Sequence, residues 1–253
     1  FLYEIGAVNT PEPYQRLFHQ GLILGEDGNK MSKSLGNVVN PDEIIDCYGA
    51  DALRLYEMFL GPLEAVKPWS TKGIEGVCRF LRKVWREILD REGGLQSRIR
   101  DGVETGETEK VLHEAIRKVT DDIENLRFNT AISQLMILLN HIQKAEILAL
   151  STVRDLLRLL APLAPHIAEE LWERIGGESS IIDQGWPQFD ESKLGAAEIK
   201  IIFQVNGKLR GESNFPESAT KEEILAAAKE SPRVKAQLEG KTLQKVIYVP
   251  GKI

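Results

Sequence analysis

The sequence predicts a mainly α-helical protein with several domains. Between residues 70 and 175 apolar residues recur at intervals of three and four, which is typical of amphipathic helices that pack on one another. After residue 198 the apolar period changes to two and an Asn-Gly pair follows, which indicates a β-hairpin. We therefore expect a mixed segment at 1–69, an antiparallel helical bundle at 70–190 and a small α+β domain at 194–253.

Five short elements are predicted in the mixed segment from its Pro, Gly and Asn residues. They are a helix at 11–20, a strand at 22–25, a tight turn at 26–29, and helices at 41–49 and 50–60. Pro41 stands at the first helical position behind Asn40 as the cap, which is the preferred order of these residue types at a helix start.

Four longer helices are predicted in the bundle, one for each apolar stripe. A polar, Gly-rich linker at 93–106 separates the first two helices. We expect Asn129 to cap the third helix. We expect Pro162 and Pro165 to kink the fourth, since each proline removes a backbone donor.

The predicted α+β domain contains a hairpin, two helices and a closing strand. Its elements are strands at 199–205 and 208–211 around the turn Asn206-Gly207, helices at 221–229 and 232–238, and a strand at 246–249. Thr220 precedes the first of these helices and is a preferred residue type for an N-cap.

Composition and charge exclude several classes of protein. With 42% hydrophobic residues and a net charge of −6 in 253 residues, the chain is neither disordered nor a generic nucleic-acid binder. No apolar stretch of about 20 residues could span a membrane. The cysteines Cys47 and Cys78 suit neither a disulfide framework nor a metal site, and without a signal peptide we expect a cytoplasmic protein.

Two groups of basic residues are candidate phosphate-binding surfaces. Residues 194–253 carry 10 Lys and Arg against 7 Asp and Glu, a balance of +3, whereas residues 1–193 have a balance of −9. In the basic part Lys208 and Arg210 flank the hairpin turn, and strand alternation is expected to place both on one face. The alternative is that they are edge-strand charges that block aggregation.

The second group shares one side of the first bundle helix and consists of Arg79, Arg82, Lys83 and Arg86. Its spacing fits a phosphate-binding face and a solvated helix face equally well.

A loop with two lysines and two serines between glycines, residues 28–37, is the candidate catalytic segment; we call it the lysine loop. Lys30 and Lys33 are three residues apart, so both ammonium groups can reach one anion, and Ser32 and Ser34 add donors. The glycines let the backbone approach a ligand. These properties fit a phosphate-binding loop or a solvated turn.

The lysine loop resembles a signature of the class I aminoacyl-tRNA synthetases. Residues 30–34, Lys-Met-Ser-Lys-Ser, match the KMSKS signature, and residues 36–41 and 48–54 match its context. Residues 56–64 and 204–211 resemble the bacterial-type leucyl-tRNA synthetases. The isoleucyl, valyl and methionyl enzymes share the first context but not these last two segments.

This resemblance implies a fold and a set of site residues. Residues 1–69 would end a Rossmann-type catalytic domain, residues 70–190 would have the anticodon-binding-domain fold, and residues 194–253 would be a tRNA-binding domain. ATP, accompanied by magnesium in the complete enzyme, would be bound by Lys30, Met31, Ser32, Lys33 and Ser34. Lys33 would be the leading catalytic residue, stabilising charge as the leucine carboxylate attacks the α-phosphate, with Lys30 assisting.

The resemblance also implies partners. We expect a monomer that binds leucine, ATP and tRNA(Leu) but no membrane, with tRNA contacts at Lys208, Arg210, Arg79, Arg82 and Arg86. The early His-x-Gly-His motif and the editing domain of these enzymes have no counterpart here, and the chain opens at Phe1 inside an apolar run. We therefore expect the C-terminal part of a leucine–tRNA ligase, inactive alone.

Three alternatives remain open. The chain could begin at a processed mature terminus, it could be a stand-alone tRNA-binding subunit without catalysis, or it could belong to a synthetase for another aliphatic amino acid. The intact KMSKS signature weighs against a pure binder, which has no need of an ATP loop.

Overall fold

Helices dominate the structure, a computed structural model that describes residues 1–12, 14, 16–104, 106–194, 198–216, 219–238 and 245–248. The α-helices are α1 (Pro41–Tyr48), α2 (Ala50–Phe59), α3 (Thr71–Ile88), α4 (Gly106–Glu124), α5 (Phe128–Ile142), α6 (Leu150–Leu160), α7 (Pro165–Arg174), α8 (Lys221–Glu230) and α9 (Pro232–Leu238). The strands are β1 (Ile23–Leu24), β2 (Lys67–Pro68), β3 (Ile99–Arg100), β4 (Leu148–Ala149), β5 (Glu198–Val205) and β6 (Lys208–Pro216). The predicted mainly α-helical class is confirmed.

The chain divides into two compact units, Phe1–Phe189 and Asp190–Ile253, and each has its own hydrophobic core. In the first unit α2 packs against α3, α5 and α7, and α4 packs along α5. One core extends from Ile44 to Ile181 and so includes part of the mixed segment as well as the bundle helices. The predicted border at residue 69 lies within that core, and the three-domain division stays a prediction from the sequence.

The predicted helix starts are found where a capping residue precedes an apolar stripe. The Asn40 side chain accepts a hydrogen bond from the Asp42 backbone N–H (3.1 Å) at the start of α1, with Pro41 in the first turn. Thr220 and Glu223 form a reciprocal capping box at the start of α8.

Among the described residues, no helix is both long and apolar enough to cross a membrane.

The predicted helix at 11–20 is wrong, because the described residues of this stretch form no helical turn. Tyr14 is 85% exposed and Leu17 is 77% exposed, so these two apolar side chains do not hold the segment against the core. A helix of about ten residues without tertiary packing is marginal in water, which explains the difference.

The predicted linker at 93–106 is more ordered than expected. Within it β3 pairs in parallel with β4, and the guanidinium of Arg98 donates to the carbonyls of Ile142 and Ala145, both at 2.8 Å. Arg98 thereby ties this segment to the last residue of α5 and to the turn that follows the helix.

Two predicted details of the later bundle helices are wrong. Asn129 lies inside α5, and Arg127, which donates to the carboxylate of Asp122 (2.8 Å), occupies the N-cap position. The fourth predicted helix is divided into α6 and α7 and not merely kinked. Pro165 begins α7, because its missing N–H cannot continue α6 but costs nothing in a first turn.

Asp51 in α2 caps α7 from a distant part of the chain. Its buried carboxylate accepts hydrogen bonds from the backbone N–H groups of His166 (3.3 Å) and Ile167 (2.7 Å) and lies 2.8 Å from His166 Nδ1. Arg54, one turn further along α2, donates to the carbonyl of Pro162 (3.0 Å). These two residues fix the break between α6 and α7.

The second unit has the predicted hairpin and both predicted helices. β5 and β6 pair antiparallel around Asn206 and Gly207, whose φ angles of 53° and 73° suit a two-residue turn. The small core of this unit consists of Ile201, Phe203, Ile224 and Val234. Residues 246–248 of the predicted closing strand are not in a strand, and Val249 lies outside the described residues.

We expect Asp51→Ala to lower the free energy of unfolding of the first unit by about 1–2 kcal/mol, because it removes the cap on the first N–H groups of α7. The test is urea unfolding followed by tryptophan emission, since all four tryptophans precede residue 190. Asp46→Ala on the exposed side of α1 is the control. Equal losses in the two variants would contradict the capping role.

Candidate functional site

The lysine loop begins at a small sheet that fixes its position. β1 pairs in parallel with β2, and Leu24 forms a further bridge with Lys30. Between them the chain makes a tight turn, in which the Gly25 N–H donates to the Asn29 carbonyl (2.8 Å) and Gly28 has a φ of 75°. The predicted turn at 26–29 is thus present, and Lys30 follows it directly.

The side chain of Asn37 connects the two ends of the lysine loop. Its Oδ1 accepts a hydrogen bond from the Ser32 N–H (2.9 Å), while its Nδ2 donates to both carboxylate oxygens of Asp27 (3.2 Å each) and to the Lys30 carbonyl (3.4 Å). A Cβ on Gly25 would lie 2.7 Å from Asp27 Oδ1 and 3.0 Å from Asn37 Nδ2. Glycine at position 25 is therefore required for this arrangement.

The middle of the loop is a short 3-10 helix, Lys33–Leu35, that begins at Ser32. The Ser32 hydroxyl accepts from the Leu35 N–H (3.3 Å) and lies 3.0 Å from Ser34 Oγ, so the two serines cap and brace this turn. Gly36 ends it with a φ of 64°. Met31 is half-buried and packs against the core of the first unit.

Both candidate catalytic lysines are exposed on this framework. Among the described residues neither Lys30 nor Lys33 has a hydrogen-bond or ion-pair partner for its ammonium group, while Asp27 and Asn37 pair with each other. Two unpaired ammonium groups on a loop with a fixed backbone can bind an anion without first breaking an internal ion pair.

Acidic residues beside the loop anchor it and do not neutralise the lysines. Hydrogen bonds from the Asn29 backbone, and then from the side chains of Asn29 and Asn37, hold the pKa of Asp27 below its ordinary value. The pKa of Glu26 is lowered mainly by the hydrogen bond that its carboxylate accepts from the Thr71 N–H (2.7 Å). Glu26 thereby caps α3, where a negative charge is favourable.

Sequence reasoning missed the roles of Asn37, Asp27 and Glu26. The pair Gly36-Asn37 stood out only as part of the motif context, and Asp27 only as a turn residue. The partner of Glu26 lies 45 residues away, and no local spacing could reveal it.

The basic group on α3 lies together on the helix surface. Arg79, Arg82 and Arg86 are exposed, and they line a cleft of about 550 Å³ with Lys83 and Trp85. Lys83 Nζ donates to Asn140 Oδ1 (2.6 Å). The Trp85 side chain is half-buried and packs against the core of the first unit.

Lys208 and Arg210 are not related by simple strand alternation. Gln204 pairs with Leu209 and Phe203 pairs with Gly211, so Arg210 is the extra residue of a β-bulge. Lys208 is exposed, whereas Arg210 is half-buried and its Nε has no hydrogen-bond partner among the described residues. Simple alternation therefore does not extend across Arg210, and the placement of both residues on one face, like their role in tRNA binding, stays a prediction.

Among the described residues no group of three or more His, Cys, Asp or Glu side chains is placed to hold a metal ion.

Two families of tRNA ligases match the chain. Residues 5–66, which include the lysine loop, match the family described as tRNA synthetases class I (I, L, M and V). Residues 107–225 match the anticodon-binding domain of tRNA ligase.

A solved structure matches almost the whole chain. It is the ternary complex of Agrobacterium radiobacter K84 agnB2 LeuRS with tRNA and LeuAMS, with 31% sequence identity and a TM-score of 0.70 over 99% of this chain. The chain belongs to the class I tRNA synthetases. Within that class it is similar to a LeuRS, of which it spans about a third of the length, 34%.

We expect Asn37→Ala to speed hydrogen exchange of the Ser32 amide about 2- to 12-fold, because this amide loses a hydrogen bond worth about 0.5–1.5 kcal/mol. Amide exchange measured by NMR checks this. Lys33→Ala is the control, since it removes an exposed side chain of the same loop. An unchanged Ser32 rate in Asn37→Ala would show that Asn37 does not hold the loop.

Proposed function

We propose that this chain is part of a leucine–tRNA ligase and supplies its ATP-binding lysine loop and surfaces for tRNA(Leu). The observation that carries the proposal is the match to a LeuRS over 99% of the chain, with the lysine loop inside the segment that matches the class I synthetases. The exposed, unpaired ammonium groups on a braced loop support an anion-binding role.

In this proposal the loop acts by electrostatic stabilisation of ATP. The ammonium group of Lys33 stabilises negative charge that develops as the leucine carboxylate attacks the α-phosphate and pyrophosphate leaves, and Lys30 assists. Ser32, Ser34 and the backbone at Met31 complete the nucleotide contacts. Asn37 and Asp27 keep the loop in one conformation, which lowers the entropy lost when the substrates are aligned.

The tRNA surfaces in this proposal lie on both units. Arg79, Arg82 and Arg86 face solvent on α3 of the first unit, and Lys208 and Arg210 lie at the hairpin of the second. Phosphate contacts of this kind supply sequence-independent affinity and position the RNA. Monomeric state and cytoplasmic location remain expectations from the sequence.

The family match leaves a second candidate, a synthetase for isoleucine, methionine or valine, because it covers all four amino acids. Amino-acid-dependent ATP–pyrophosphate exchange by the complete enzyme distinguishes them: leucine should support exchange and the other three should not. We expect the present chain alone to be inactive in this assay, since one loop cannot align both substrates.

In the complete enzyme we expect Lys33→Ala to slow leucine-dependent ATP–pyrophosphate exchange about a hundredfold or more, with little change in leucine affinity, because the lost interaction is strongest in the transition state. Lys144→Ala, a change at an exposed lysine of the same unit, is the control. A Lys33→Ala enzyme with near-normal turnover, or one impaired only in leucine binding, would assign the catalytic role to another residue.

We expect Lys208→Ala and Arg210→Ala each to weaken tRNA(Leu) binding and to flatten its salt dependence by about 0.7–0.9 in log–log slope per lost phosphate contact. Salt titrations of tRNA binding measure both quantities. Lys235→Ala is the matched control, because this lysine of the same unit pairs with Glu230 (3.4 Å). Unchanged affinity and slope would identify Lys208 and Arg210 as edge-strand charges.

A further inference from the structure

An open surface cleft on α3 is lined by basic side chains and one indole. It measures about 550 Å³, and its lining is Arg79, Arg82, Lys83, Trp85 and Arg86. We call it the Trp85 cleft. From Arg79 to Arg86 the helix makes two turns, so the cationic groups follow one side of α3 over about 10 Å.

The positive charge of the Trp85 cleft is not compensated within the described part of the protein. Arg79, Arg82 and Arg86 have no hydrogen-bond or ion-pair partner among the described residues, and Lys83 donates to an uncharged amide, Asn140. Four cations are thus concentrated on one helix face in a chain whose net charge is −6. A face of this kind attracts an anionic ligand.

The indole of Trp85 lies among these cations and is only half-buried. Its helix neighbours Val84 and Ile88 are fully buried, so Trp85 lies at the edge of the apolar stripe, where its ring reaches the cleft. The guanidinium of Arg174 on α7 lies over the ring, 5.3 Å from its centroid, and pairs with Glu170 (2.7 Å). This cation–π contact holds the ring in place.

We propose that the Trp85 cleft binds an unpaired nucleotide of RNA, with its base stacked on the indole of Trp85 and the neighbouring phosphates held by Arg79, Arg82 and Arg86. Sites for single-stranded nucleic acid combine a cationic groove with an aromatic ring, and here basic side chains and a half-buried indole line one surface. A surface that contacts only the phosphates of a double helix needs no indole beside its arginines. The inference rests on the proposed function, which makes tRNA the RNA in question.

The test compares Trp85→Leu with Trp85→Phe in binding to a tRNA(Leu) transcript. Loss of one base–aromatic stack should weaken binding about 5- to 150-fold in Trp85→Leu, while Trp85→Phe keeps an aromatic face and most of the affinity. The log–log salt slope should stay unchanged in both variants, because no cation is lost. In Arg79→Ala the slope should flatten by about 0.7–0.9.

A fully paired RNA hairpin closed by a short linker is the matched ligand, because it offers phosphates without an unpaired base. Wild type and Trp85→Leu should bind this paired hairpin with the same affinity. Wild-type tryptophan emission should be quenched by tRNA more than that of Trp85→Phe, because the variant lacks the indole at the proposed stacking site and keeps the other three tryptophans. Melting followed by far-UV circular dichroism shows that the variants are folded at the temperature of the assay.

Equal tRNA affinity of folded Trp85→Leu and wild type would overturn the inference and leave Trp85 with a packing role alone. Equal losses for tRNA and for the paired hairpin would overturn it as well, since the defect would not depend on an unpaired base. If the wild-type chain bound no tRNA, the proposed function itself would fail, which is a different result from an unaffected Trp85 variant.

Discussion

The side-chain amide of Asn37 joins parts of the lysine loop that would otherwise be independent turns. It bonds to the Ser32 N–H, the Lys30 carbonyl and the Asp27 carboxylate, so the backbone on both sides of the two candidate catalytic lysines is fixed by one group. Because the amide makes these contacts, the ammonium groups are not needed to hold the loop and stay exposed. A loop ordered in advance loses less entropy when it binds a polyanion.

The same loop is connected to the bundle through its acidic turn. Glu26, next to Asp27, caps α3 at Thr71, and two turns further along the same helix the basic residues of the Trp85 cleft begin. Asp51 and Arg54 connect α2 to the bundle, because they bond to the backbone at the break between α6 and α7. The candidate ATP loop and the candidate RNA cleft are therefore parts of one unit with one core.

The sequence predicted those elements whose signals are local. The caps of α1 and α8 and the Asn206-Gly207 turn depend on neighbours within a few residues, and the structure has them at the predicted positions. The prediction of a helix at 11–20 is wrong because tertiary packing decides whether so short a segment is helical. The local sequence pattern does not show that packing.

Long-range contacts explain the remaining differences from the sequence predictions. The bulge at Arg210 depends on the register of a pair of strands, and the role of Glu26 depends on a partner 45 residues away. For the candidate site, the resemblance indicated the lysines and serines. It did not indicate the residues that hold them, since Asn37 and Asp27 act through geometry that only the folded loop displays.

The central claim is that Lys30 and Lys33 bind the phosphates of ATP, and lysine footprinting of the complete enzyme tests it most directly. An amine-acylating reagent is applied with and without ATP, and the extent of modification at each lysine is measured by mass spectrometry. The account predicts protection of Lys30 and Lys33 by ATP and by pyrophosphate but not by adenosine, with Lys144 unaffected. Equal modification of Lys33 with and without ATP would contradict it.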